Sequence, residues 1–308
     1  MQTSQQVTEI GYVRREPDAT FLPVQNRSTI ANVLVGITGT PALPAKIELA
    51  VDLHRRHGAA ITGLSIIDMA RLDPASAVPI GAISYAKQMR ERRFRVSKMR
   101  AVAALEAFAD GCRAADVPVD IRLVEDEPVD VIADRAHFAD LIVLPVDGWF
   151  AYGLISQAET RLSEVLLRGA GPILAIGENY RRSEEVVIGL DGSLAASNAF
   201  KSYVRMGLWS RARLHFVHAV EDGWPDSEAA ISSTMDDALA YAHRFGRRAV
   251  AHVMAGSTLD AMNRIIRETG ATAAVLGSDR RRLFADKRLT ATTKKLIRDN
   301  GMSVLIVG

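Results

Sequence analysis

The chain states one pattern twice. The segment VLVGITGT at Val33 to Thr40 returns as VIGLDGS at Val187 to Ser193. Each copy opens a stretch about the length of one compact domain. Each stretch closes on a short apolar run, GPILAIG from Gly171 and MSVLIVG from Met302. So long a period excludes a solenoid, whose repeats run roughly 20–50 residues. It implies a duplicated domain, and the copies can be read against each other position by position.

Within each copy, short β-branched runs alternate with amphipathic stretches. The first gives strands at Val33 to Ile37, Ala60 to Ile67, Val117 to Val124, Leu141 to Leu144 and Ile173 to Ile176. Its helices fall at Pro41 to His57, Ile83 to Ala115, Val129 to His137 and Glu159 to Arg168. The second gives strands at Val186 to Leu190, Arg213 to Val220, Ala249 to Met254, Ala273 to Leu276 and Ser303 to Val307. Its helices fall at Ser193 to Leu208, Ser227 to Phe245, Thr258 to Thr269 and Asp286 to Asp299. Such alternation predicts an α/β fold of two doubly wound, five-stranded parallel-sheet domains with right-handed crossovers. The expected organisation is an arm at 1–30, a first domain at 31–178 and a second at 184–308. The short polar linker predicts that the halves pack as a pseudo-dimer. The arm is polar, carries Pro17 and Pro23, and reads as a flexible tail that packs Phe21 and Leu22 on the body.

Composition narrows the function classes. Hydrophobic residues at 48% and charged residues at 24% fit a soluble globular protein. A formal net charge of +2 is too small to argue for nucleic acid or an anionic membrane surface. The lone Cys112 excludes an internal disulfide and a cysteine metal cluster. No apolar stretch is long enough to span a bilayer, and the polar MQTSQQ start is not a secretory signal. A cytoplasmic location is the expectation.

In a doubly wound sheet, ligands bind beyond the carboxyl ends of the strands, where strand order reverses. The second copy carries Asp191-Gly192-Ser193 after its first strand and Gly277-Ser278-Asp279-Arg280-Arg281-Arg282 after its fourth. Asp191 either accepts from a ribose hydroxyl or base amine, or merely orients the turn into the next helix, which Ser193 is suited to cap. Arg280 to Arg282 form either a phosphate clamp or a solvated loop. Thr290, Thr292 and Thr293 either offer hydroxyls to an anion or open a helix. His218, ending the second strand, reads as a core or rim residue rather than an acid or base. There is no Gly-x4-Gly-Lys-(Ser/Thr) loop, no Gly-x-Ser-x-Gly elbow and no His-Glu-x-x-His zinc pair, and no catalytic residue is assigned.

The chain resembles a tandem member of the universal stress protein family. The carrying segments are VVIGLDGSLAASNAFK at Val186 to Lys201, HFVHAVE at His215 to Glu221, AAVLGS, TKKLIRD and SVLIVG, with ADLIVLP and GPILAIG in the first copy. The resemblance implies an adenine nucleotide alpha hydrolase-like fold whose members associate through their last strands, a contact that duplication would place within one chain. It also implies a stress-response regulator, and in some members ATP held by Gly-x2-Gly-x9-Gly-(Ser/Thr) after the fourth strand. Carried onto this sequence, the nucleotide residues are Gly189, Leu190, Asp191, Ala219, Leu276, Gly277, Arg280, Thr290, Ala291 and Thr292, with magnesium only as the nucleotide's companion.

Both copies depart from that motif. In the second, Arg280 and Thr290 replace glycines and Ala291 replaces the hydroxyl residue. In the first, Thr38 replaces the aspartate, Pro145 the first glycine, and Ala158-Glu159 the closing pair. The first site reads as dead for ATP and the second as damaged. Arg280 either fills the phosphate site or substitutes a charge-assisted clamp for it. The alternative function is an interaction or scaffold protein that kept the fold and lost the ATP loop, with weak ATP hydrolysis a distant third. Expected partners are the paired copies, a homodimer or an unidentified protein, not nucleic acid or membrane.

Overall fold

The computed structural model describes residues 12–15, 30–72, 83–145, 149–152, 161–177, 180, 182–220, 228–278, 295–296 and 302–308, with only the backbone at 12–15, 83 and 228. The elements begin with β1 (Tyr12–Arg15), β2 (Asn32–Gly36), α1 (Leu43–His57), β3 (Ala60–Ile67), α2 (Met69–Leu72) and α3 (Ile83–Arg113). Then come β4 (Val119–Glu125), α4 (Pro128–Ala136), β5 (Leu141–Pro145), α5 (Leu162–Leu167) and β6 (Ile173–Ile176). The second copy supplies β7 (Glu185–Gly189), α6 (Leu194–Met206), β8 (Arg213–Val220), α7 (Glu228–Arg244), β9 (Ala249–Ala255), α8 (Thr258–Thr269), β10 (Ala273–Gly277) and β11 (Ser303–Val307).

Two compact units result, one of Met1–Arg27 with Arg182–Gly277, the other of Ser28–Arg181 with Ser278–Gly308. In the larger, β6, β5, β2, β3 and β4 run parallel in that order. The strand order reverses between β2 and β5, since the chain leaves β2 for β3 and β4 on one side and returns to β5 on the other. Beside β6 lies β11, antiparallel, with Leu305 opposite Leu174. The last strand of the second copy thus pairs with the last strand of the first, as the resemblance implied. In the smaller unit β9, β8, β7 and β10 are parallel.

Burial explains why these segments become strands. β5 is buried along its whole length and β2 from Val33 onward, so their near-continuous apolar runs serve sheets covered on both faces. Local signals set the helix ends. Ser193 caps α6, its hydroxyl accepting from the Ala196 N–H at 3.1 Å, and Gly207 ends it with a left-handed φ of 64°. Ser257 and Gly270 do the same for α8.

The arm corrects one expectation. Tyr12–Arg15 is not a flexible tail but a strand, antiparallel to β9 with Tyr12 opposite Val253. Four residues are too few for periodicity to register; the pairing comes from the open edge of β9. Phe21 and Leu22 lie outside the described residues, as does the expected helix at Asp286 to Asp299 apart from Lys295 and Leu296, which are helical.

Candidate functional site

At the switch point of the first copy the chain after β5 folds back over the strand ends. Trp149, Phe150, Ala151 and Tyr152 follow β5 and are all buried. Phe150 and Tyr152 hold left-handed backbones, at φ 46° and 48°, a conformation costly without glycine. The Tyr152 hydroxyl lies 2.6 Å from Ser65 Oγ, accepts from the Ile66 N–H at 3.1 Å and reaches the Ile66 carbonyl at 3.0 Å. Ser65 in turn donates to the Ile37 carbonyl at 2.8 Å. The phenol therefore spans from the β5 side to the end of β3, across the end of β2. Burial pushes its pKa up to about 12.

Below the same turn sits Lys46, 1% exposed. Its ammonium position donates to the Gly36 carbonyl at 2.7 Å and to Thr38 Oγ1 at 3.4 Å. Removal from water lowers its pKa to about 7. Thr38, standing where the second copy has Asp191, is itself buried. An open cleft of about 450 Å³ lies alongside, lined by Gly39, Thr40, Leu43, Arg100, Ala103, Ala104 and Tyr152.

The second copy is arranged differently. Asp191 is exposed, and its Oδ1 accepts from the Ser193 N–H at 2.9 Å, closing the turn that lets Ser193 cap α6. Leu190 is buried and its N–H bonds the Val217 carbonyl at 2.9 Å. A Cβ on Gly189 would come within 3.3 Å of Leu276 Cδ2, which places those two residues together. A Cβ on Gly277 would stand 2.4 Å from the Ala195 carbonyl carbon and the Ala196 nitrogen. Gly277 is therefore glycine because β10 packs directly on the first turn of α6. Ala219 is half-buried at the end of β8. Gly189, Leu190, Asp191, Leu276 and Gly277 converge on the start of α6, while Arg280, Thr290, Ala291 and Thr292 lie outside the described residues.

His218 is 2% exposed, the core position expected of it. Its Nδ1 lies 2.7 Å from the Leu190 carbonyl, while Nε2 is buried without a hydrogen-bonding partner among the described residues.

Sequence reasoning missed Tyr152, Ser65 and Lys46. Only the aromatic run Trp149 to Tyr152 could have signalled the first, since a polar loop after a ligand-site strand has no need of it. It also missed a cluster near the strand starts of the smaller unit. There His215 Nε2 lies 2.7 Å from Glu185 Oε2, and Nδ1 lies 3.1 Å from His252 Nε2. Burial, then the neighbouring His215, lowers the His252 pKa to about 4. Among the described residues no group of three or more His, Cys, Asp or Glu is placed to hold a metal ion, and no helix is long and apolar enough to cross a membrane.

Comparison with known proteins agrees with the doubled architecture. The model of the universal stress protein family matches twice, at residues 29–167 and 183–308. Among solved structures, a universal stress protein from Archaeoglobus fulgidus DSM 4304 is similar with a TM-score of 0.62 at 18% identity, covering 91% of this chain and 96% of its own. A putative universal stress protein from Pseudomonas aeruginosa UCBPP-PA14 gives 0.57 at 15% identity, covering 91% and 94%. At those identities the likeness is one of fold. A search of curated proteins finds no match. With both copies matched and the last strands paired, the chain belongs to the universal stress protein family.

Proposed function

We propose that this protein is a stress-response regulator whose second copy binds an adenine nucleotide. The observation that carries the reading is the contrast at the strand-one turn. In the second copy an exposed carboxylate, Asp191, follows Gly189 and Leu190 at the carboxyl end of β7, and Leu276 and Gly277 end the neighbouring β10. In the first copy the equivalent turn has a buried threonine, and Tyr152 lies over the strand ends beside an open cleft. Asp191 suits a ribose hydroxyl, since a carboxylate accepts and a hydroxyl donates. Arg280, Thr290, Ala291 and Thr292 are the residues proposed toward the phosphates, with magnesium arriving only with the nucleotide. Turnover forms no part of the reading.

The second reading, a scaffold that acts through its surfaces, draws on Gly277. Its contact with the α6 backbone accounts for the glycine without any ligand. Calorimetry of the full chain with ATP, ADP and AMP separates the two. Micromolar binding that weakens about tenfold or more in Asp191→Ala is expected for the regulator. Absence of heat with all three, and no nucleotide released on denaturation, would leave the scaffold reading.

A further inference from the structure

The third strands of the two copies differ in what lies beside them. In the smaller unit the third strand of the second copy, β9, is covered by β1. In the larger unit the third strand of the first copy, β4, pairs with β3 alone among the described residues. Its outer side presents backbone N–H and carbonyl groups with no described strand beside them, a template for a further strand. The chain's own arm does not serve, because Tyr12–Arg15 is engaged on β9.

The residues along that edge are self-complementary. Alternation sends Val119, Ile121 and Leu123 to one face of β4 and Asp120, Arg122 and Val124 to the other. The first face is the one under α3, since a Cβ on Gly63 would meet the Phe108 ring at 2.9 Å and Ile121 Cγ2 at 3.6 Å. Ile121 is nevertheless 39% exposed. On the second face Arg122 Nε donates to Asp120 Oδ2 at 2.8 Å, and both side chains are more than half exposed. A two-fold axis through Ile121, perpendicular to the sheet, brings β4 antiparallel to β4 of a second chain. Ile121 then faces the partner's Ile121, Val119 faces the partner's Leu123, and Asp120 faces the partner's Arg122. Moving the axis one residue either way sets Arg122 against Arg122 or Asp120 against Asp120, which like charge opposes. Charge therefore selects one register.

We infer that two chains associate through β4, antiparallel about Ile121, with Asp120 of each paired to the partner's Arg122. The ion pair that the lone chain makes within β4 exchanges partners rather than being lost. The contact is isologous, so it uses each edge once and closes at two chains. It involves none of the residues proposed toward a nucleotide.

The test is analytical ultracentrifugation of the full chain and its charge reversals. A five-residue pairing lies below the size of a stable interface, so dimer is expected at about 100 micromolar chain and monomer at about 1 micromolar. Asp120→Arg sets arginine against arginine at two places and should weaken the dimer about tenfold or more. Adding Arg122→Asp to that variant restores the complementarity and should restore the dimer. Melting temperatures of the dilute proteins check that both variants keep their fold. Cysteine crosslinking reads the register separately, since Cys112 is buried. Under mild oxidation Ile121→Cys should give a disulfide-linked dimer and Leu123→Cys should not, because only position 121 faces itself. A chain still monomeric at the higher concentration, or a dimer indifferent to Asp120→Arg, would overturn the proposal. So would association that is abolished by deleting 1–15 and gives no crosslink with Ile121→Cys, which would assign the edge to the arm of a neighbouring chain.

Discussion

Lys46 and Tyr152 are buried with their polar ends turned to backbone at the strand ends of the first copy, and each has a measurable consequence. For Lys46 the direction follows from linkage. The unfolded side chain takes its proton near 10.5 and the folded one near 7. Between those values the unfolded state binds more protons, so stability rises with pH across that window and levels off below it. The slope contributed is at most about 1.4 kcal/mol per pH unit. Urea unfolding at two pH values inside the window should show Lys46→Met losing that rise. An unchanged slope would mean the amine is hydrated in the folded protein. Tyr152 has a chemical consequence, because its phenol engages both the Ile66 N–H and the Ile66 carbonyl.

At the scale of elements, the contact between β10 and α6 divides packing from ligand binding. Gly277→Ala would drive a methyl group into the backbone of Ala195 and Ala196. Overpacking of this kind costs about 1–3 kcal/mol or more. A melting temperature lowered in the ligand-free protein is the expected outcome. If stability is unchanged and only ligand affinity falls, Gly277 serves the ligand alone. Legibility in the sequence follows the same division. β3, β6, β8, β11 and α8 have the bounds that their apolar patterns predict, because each buries a face against a covered sheet and the pattern records it. The strand-one turn was legible too, since Asp191 and Ser193 act locally, within a few residues of themselves. Tyr152 bonds to residues 86 and 87 positions earlier, and no local pattern records a partner so distant. For Gly277 the sequence suggested only a ligand-loop role and not its contact with α6, because a glycine that admits phosphate and one that admits a helix look alike in one dimension.

For the molecule as a whole, duplication lets the last strands of the two copies pair within one chain, β6 with β11. Val304, Leu305 and Ile306 are buried to within 1%, so removing 303–308 would uncover β6 as an open, apolar sheet edge. Such edges seek another chain. Sedimentation of the truncated protein should therefore show more self-association than the full chain at equal concentration. An unchanged monomeric fraction would mean that something other than β11 protects the edge.

The pairing of β1 with β9 sets a schedule for biosynthesis. Tyr12–Arg15 is translated long before Val250–Val253, the residues it pairs with. At ordinary elongation rates the wait is roughly ten seconds to a minute. During that interval the first copy can collapse around its own strands, while the arm trails without its partner and the edge of β6 stands bare. Both gaps close only once the second copy has left the ribosome. The nascent chain is therefore most exposed to proteases and chaperones in the middle of its synthesis, when half of it is already folded.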